Sequence, residues 1–423
     1  MPIYEIPANR RSLPIIEFIF IILACLYYSN YVFQSQYETQ MMLGFVLYVL
    51  FCYYKEEKYR KTIVSFLLLL AVFSVLYYLL TDTSSIGVNV SNRAFKRLYS
   101  KFTQYLSMFI PVFMLYRTAR VASKRQMIII ISLILINFLM LARTAIVATQ
   151  LDSGVLHSFR EDAVESSGLT VAAFYFVYVY TFIFVIGWIC YSKSKEKKIK
   201  YASLFFSLFS LFFLFKAQFA LSIVTSFFSL LYLYITTTHN NRKIITVLVV
   251  IVVLLLSPLL LRGLISIVPE GFLSERLKEI YDMITGENTT SESDGQGRLD
   301  LYWMCIKAFF NSPLIGNRTL PEDGHSTFLT VPADIGIFGA IFLYVLFKKA
   351  YSIISGLLGS KNIYFKPLML QIVLMGFTNP IHSSPSIYIV LFFMCPLLII
   401  LIIKEYRPID YFGMQRFGAP ILR

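Results

Sequence analysis

The sequence predicts an all-α, polytopic membrane protein with about twelve spanning helices. Three observations predict it: the composition, the recurrence of long apolar runs, and the alternating charge of the segments between them. Of the 423 residues, 57% are hydrophobic and only 15% charged, and the mean hydropathy is +0.68. Soluble domains carry about 45–50% apolar and about 25% charged residues. A water-facing surface cannot absorb that surplus, so lipid is the expected solvent for much of it. The 29 Tyr and 39 Phe suit a polytopic protein with aromatic belts at both interfaces.

The net charge of +14 does not indicate nucleic acid, because the basic residues sit mostly in short segments between apolar runs, where Lys/Arg excess sets membrane orientation. The five Cys form no close pair, so neither a disulfide framework nor a zinc site is expected.

A spanning helix needs about 20 mostly apolar residues. Runs of that kind predict helices near residues 13–33, 40–54, 62–80, 104–118, 127–149, 170–191, 201–215, 219–236, 244–261, 327–347, 366–379 and 386–403. The first follows Arg10 and Arg11 and is too long for a signal-peptide core, so it is read as a retained helix. With Arg10 and Arg11 in the cytoplasm, the inner segments become KEEKYRK (55–61), RTARVASKRQ (117–126), KSKEKKIK (193–200), THNNRK (238–243) and the Lys348–Lys366 connection, all basic. The outer segments include QSQYETQ (34–40), which has no Lys or Arg, and the acid-rich 150–169. Both termini are therefore expected in the cytoplasm. The whole chain, 1–423, reads as a single transmembrane domain.

One outer loop, 262–326, is much longer than the rest. Within it, 274–283 is a candidate helix capped by Ser274, and GENTTSESDGQG (286–297) is a polar break. RLDLYWMCIKAFF (298–310) is amphipathic, with Leu299, Trp303, Ile306 and Phe310 on one face, and is expected to lie along the membrane surface until Pro313 stops it.

The outer side also carries cations that the orientation rule does not explain. Arg93, Lys96, Arg97 and Lys101 cluster before the fourth span. Arg143 lies 16 residues from the inner end of the fifth predicted span, about 24 Å into a core of about 30 Å. Lys216 sits in the short turn FKAQF. The long loop supplies Arg262, Arg276, Arg298, Arg318 and His325, and the last outer turn His382. Cations placed against the positive-inside tendency point to an anionic ligand, and guanidinium groups match phosphate with two parallel hydrogen bonds. Snorkelling to headgroups is the competing reading for Arg143 and Lys216, lipid-headgroup contact for the 93–101 cluster, and a solvated loop charge for Arg298, Arg318 and His325.

RLDLYWMCIKAFFNSPLIGN followed by DGHSTFLTVPADIGIFGAIFLYVLF resembles the signature of the O-antigen ligase and O-antigen polymerase superfamily. Arg298, Trp303, Pro313, Gly316, His325–Ser326 and Gly336–Gly339 fall in the family's order, with nine residues, 327–335, between Ser326 and Gly336. FKAQFALSIVTSFFSLLYLYI is similar to an earlier helix of the family, with Lys216 and Gln218 where an Arg is usual. The resemblance implies a metal-independent, GT-C-like membrane glycosyltransferase with no cofactor, whose donor is a polyprenyl-diphosphate-linked oligosaccharide delivered to the outer leaflet.

The leaving group is then a lipid diphosphate, and fixed Arg groups in a water-poor site can stabilise the charge that develops on it. Arg298 and Arg143 are the expected diphosphate contacts, with Arg318, Lys216 and Arg276 as further substrate-binding candidates. His325 has an ordinary pKa of about 6.5 and suits the acceptor hydroxyl as a base, with Glu322 and Asp323 as nearby alternatives. Ser326, or the backbone N–H groups of 327–329, could face the substrate beside it.

The expectation is a polymerase for O-antigen, capsule or exopolysaccharide in the cytoplasmic membrane, with membrane lipid, flippase and chain-length regulator proteins as partners. The alternatives are a ligase acting on a lipid A core, and a transporter or flippase. A transporter predicts internal repeats and interrupted midplane helices. The sequence carries no repeat, and its unexplained cations gather on one side.

Overall fold

The computed structural model describes residues 12–55, 107–151, 175–217, 220–238, 257–267, 294–314, 316, 326–379, 381 and 384–403, with shorter pieces between 60 and 75 and between 274 and 285. Every regular element among them is helical. α1 is Ile15–Ser29, α2 Tyr31–Lys55, α3 107–121, α4 Lys124–Leu151, α5 Tyr175–Lys193 and α6 Lys197–Lys216. α7 is Ala220–Thr237, α8 Ser257–Ile267, α9 Asp294–Asn311, α10 Thr327–Leu358 and α11 Lys366–Thr378. α12 runs through Pro385–Ile389, Val390–Met394, Cys395–Leu398 and Ile399–Ile403, its second and fourth pieces wound as π-helix.

Five helical stretches among the described residues are long and apolar enough to cross a membrane: Lys124–Val147, Phe176–Lys193, Lys197–Lys216, Ile335–Tyr364 and Pro385–Ile402. Ile15–Ser29, Ser222–Thr237 and Lys366–Phe377 are apolar but shorter. Burial sorts the five into two layers. The α5 and α12 stretches are 78% and 72% buried, whereas the α6 stretch is only 22% buried. α5 and α12 therefore form the centre, and the outward sides of α4 and α6 carry exposed Ile136, Met140, Phe205 and Phe212, the pattern expected where lipid replaces water.

Packing follows aromatic and polar anchors. The Tyr180 ring lies tilted 4.4 Å from Phe213, packing α5 on α6, and edge-on 5.3 Å from Phe176 of its own helix, and its hydroxyl donates to the carbonyl of Phe138 in α4. Gln371 of α11, fully buried, donates to the Thr181 carbonyl at 3.2 Å and to Ser226 Oγ at 3.3 Å. Such bonds are how a polar side chain is retained between apolar helices.

Side-chain bonds also bring particular helix ends together. Tyr28, at the end of α1, donates to the carbonyl of Ser107 at the start of α3 and accepts from Ser386 at the start of α12. All three ends are predicted to be outer. Glu17, at the start of α1, holds Arg117 near the end of α3 through two bonds of 2.9 Å, and both are predicted to be inner. That fork is buried, with side chains 4% and 11% exposed.

Several boundaries differ from the sequence reading. The helix expected over 13–33 stops at Ser29, and QSQYETQ (34–40), expected as a loop, is helical within α2. The break falls at Asn30, whose Oδ1 accepts from the Phe33 N–H and whose carbonyl accepts from the Gln34 N–H. That side-chain cap starts the next helix at once, and a non-helical Tyr37 kinks it. The Lys348–Lys366 connection is helical too, through Leu358 and a 3-10 turn over Gly359–Tyr364. The polar break expected over 286–297 ends early, since α9 begins at Asp294. Residues 286–293 and 244–256 lie outside the described residues, as does 76–106 with its Arg93–Lys101 cluster.

Candidate functional site

The candidate site lies around the start of α10, which packs on α9 and on the end of α11. α10 begins at Thr327 because Ser326, in extended conformation, caps it. Ser326 Oγ accepts from the Leu329 N–H at 3.3 Å and donates to the Gly376 carbonyl of α11 at 3.2 Å. Ser326 is 1% exposed. Its hydroxyl is therefore committed to packing and does not face a substrate. The Thr327 N–H is likewise taken by the Asn379 carbonyl at 3.1 Å. Two of the three backbone donors that could have met an anion at this helix start are thus bound internally.

α10 is not continuous. Gly336 has φ 68 and ψ −170, a conformation essentially restricted to glycine,. The break releases the Ile337 N–H from its helical partner, and it donates instead to the Pro313 carbonyl at 2.8 Å. Gly316, buried and with φ 77, closes the same turn by donating to the Ser312 carbonyl at 2.8 Å. The turn motif and the Gly-x-x-Gly motif, twenty residues apart in sequence from Gly316 to Gly336, are one structural joint.

α9 packs on α10 through Cys305 and Ala308, which cluster with Leu329 and Ala333. Burial pushes the Cys305 thiol above its ordinary range, against a smaller opposing effect of Thr330, so this Cys is poorly suited to act as a thiolate. The face expected to be apolar and membrane-directed is the other one: Trp303 and Phe310 are exposed, and the Lys307 ammonium lies 5.6 Å from the Trp303 ring centre.

The joint fixes a register. Cys305 meets Thr330 and Pro313 meets Ile337, so α9 runs parallel to the first turns of α10 with an offset of 24 or 25 residues. Position 298 lies seven residues before Cys305, on the same helical stripe. By that offset the first residue of α10, Thr327, stands level with positions 302 and 303, and position 298 lies about one turn before them,.

Arg143 lies on the exposed stripe of α4 with Ile136, Met140 and Val147, away from the buried stripe of Ile134, Phe138, Ala142 and Ala145. Lys216 closes α6, one turn after Phe213, and is exposed; among the described residues neither cation has a bonded partner. Through Phe213 and Tyr180, Lys216 sits at the same end of the bundle as the start of α5. His325, Arg318, Arg276, Glu322, Asp323 and His382 lie outside the described residues, as does the Arg298 side chain, whose backbone belongs to α9.

Sequence reasoning missed Tyr178, Thr327 and Asn379. The Tyr178 hydroxyl, in the first turn of α5, donates to Asn379 Oδ1 at 2.5 Å. The Asn379 carbonyl accepts from Thr327 Oγ1 at 2.9 Å as well as from the Thr327 N–H. The Asn-Pro pair at 379–380 marks a helix end, but nothing in a run such as YFVYVYTF distinguishes one Tyr from its neighbours.

No protein-family model matches the chain, and no curated protein matches it either.

Proposed function

We propose that the chain is a surface-polysaccharide polymerase of the cytoplasmic membrane, with about twelve spans, both termini inside and its chemistry on the outer face. The donor is an oligosaccharide on polyprenyl diphosphate and the acceptor is the end of another lipid-linked repeat unit. The observation that supports this reading is the parallel seating of α9 beside the first turns of α10, with position 298 about one turn beyond the level of Thr327 at the N-terminal end of α10,. It supports the assignment because the family pattern asks for an Arg and a His at one site, and these residues are 27 positions apart in the chain.

The acceptor hydroxyl oxygen forms a bond to the anomeric carbon of the donor. The bond from that carbon to the phosphate oxygen breaks, and the diphosphate leaves with the electron pair. His325 takes the hydroxyl proton, with Glu322 or Asp323 as the alternative acceptor. Arg298 meets the charge gathering on the diphosphate, assisted by Arg318, Lys216 and Arg276. Arg143 has a distinct part. It stands on a stripe exposed between apolar residues, the side from which a donor held in the bilayer by its polyprenyl chain approaches.

Deleting the protein from its host tests the reading. Lipid-linked single repeats should accumulate and polymer should vanish. Persisting polymer on the lipid carrier with loss of transfer to lipid A core would instead be the ligase outcome, and unchanged surface polysaccharide contradicts both.

A further inference from the structure

We infer that Tyr178 and Thr327, acting through Asn379, are positioning residues that hold the start of α10, two residues after His325. The inference rests on the reading of His325 as the base, and its test separates the two.

Three helix ends meet at Asn379. α5 contributes Tyr178, whose hydroxyl donates to Asn379 Oδ1 at 2.5 Å. α10 contributes Thr327, which donates its N–H at 3.1 Å and its hydroxyl at 2.9 Å to the Asn379 carbonyl. α11 contributes Asn379 itself, whose N–H donates to the Met375 carbonyl at 2.8 Å. The Asn379 carbonyl also accepts from the Ile381 N–H at 2.9 Å, so one peptide group ties the start of α10 to the turn after α11. Tyr178, Ser326, Thr327 and Asn379 are all at most 6% exposed.

A buried polar network in apolar surroundings holds one geometry, because each alternative leaves a donor or acceptor unpaired. Residue 325 is two peptide units upstream of Thr327, so a shift of that anchor is passed toward it along the chain. Among the described residues α9 packs on α10 through Cys305 and Ala308, further along the helix. A catalytic group displaced by about 1 Å can lose about a hundredfold in rate, so an anchor two residues away matters for turnover.

The test uses two near-isosteric deletions, Tyr178→Phe and Thr327→Val, with Thr327→Ser as the variant that keeps the hydroxyl. The first readout is the labelling rate of a His325→Cys protein by an impermeant maleimide, with and without each change. The second is polymerisation of lipid-linked oligosaccharide extracted from host cells lacking the protein, measured on variants that retain His325.

Both deletions should change the labelling rate several-fold, and both should lower kcat roughly ten- to a hundredfold with KM little changed. Thr327→Ser should behave as the parent in both assays. Unchanged labelling in Tyr178→Phe and Thr327→Val overturns the positioning inference, whatever the polymer does. Altered labelling with wild-type kcat upholds the positioning and overturns the catalytic reading of His325 instead.

Discussion

Ile337 donates its backbone N–H to the Pro313 carbonyl at 2.8 Å, so the turn after α9 fills the gap that Gly336 opens in the hydrogen-bond ladder of α10. The bond couples the helix that carries Arg298 to the helix that His325 precedes. It depends on a backbone conformation, φ 68 and ψ −170, that a side chain at position 336 would strain.

Gly336→Ala should therefore destabilise the purified protein by about 1–3 kcal/mol. Gly356→Ala is the control, because a Cβ there meets nothing within 4 Å and alanine favours the helix by up to about 1 kcal/mol. Thermal unfolding of both variants in detergent checks this. Equal melting of Gly336→Ala and wild type would show that the break is not needed to hold the joint.

Topology is checked by thiol labelling. All five native cysteines are free and buried, so the background on intact cells should be low. Ser291→Cys should react with an impermeant reagent added from outside, because the alternating basic segments predict 262–326 on that side. Reaction only after permeabilisation reverses the orientation and removes the outer-leaflet donor from reach.

Much of the helical layout was legible because long apolar runs report helices directly: the runs at 127–149, 170–191, 201–215, 219–236 and 366–379 meet α4, α5, α6, α7 and α11 closely, although the apolar stretches of α7 and α11 are shorter than a membrane-crossing length. Polar segments were misread where a helix can carry them. QSQYETQ looked like a loop, yet Asn30 caps a new helix straight through it, and Gly295 and Gly297 sit inside α9. The contact face of α9 was hidden for a different reason. Composition picks out the large residues Trp303 and Phe310, whereas close helix packing selects the small ones, Cys305 and Ala308. The Arg–His pairing came from motif order, while the Tyr178–Asn379–Thr327 junction joins residues as much as 201 positions apart and has no local signature.

Arg298→Lys tests the diphosphate contact without removing charge. Lysine cannot make the two-pronged contact of a guanidinium, and losing a charge-assisted contact at a developing charge costs roughly 3 kcal/mol, about a hundredfold in rate. Turnover should fall toward that limit at normal protein level. Wild-type chain-length distribution in Arg298→Ala would remove Arg298 from the site.

The central claim is that His325 carries the proton transfer, and the most direct measurement is the lipid-linked product made by His325→Ala and His325→Asn cells. Asn keeps a hydrogen-bonding side chain but cannot accept the proton, so both variants should accumulate single repeats and make no polymer. Full activity in His325→Asn beside a dead His325→Ala would assign the residue an orienting part. Wild-type polymer from both would contradict the account.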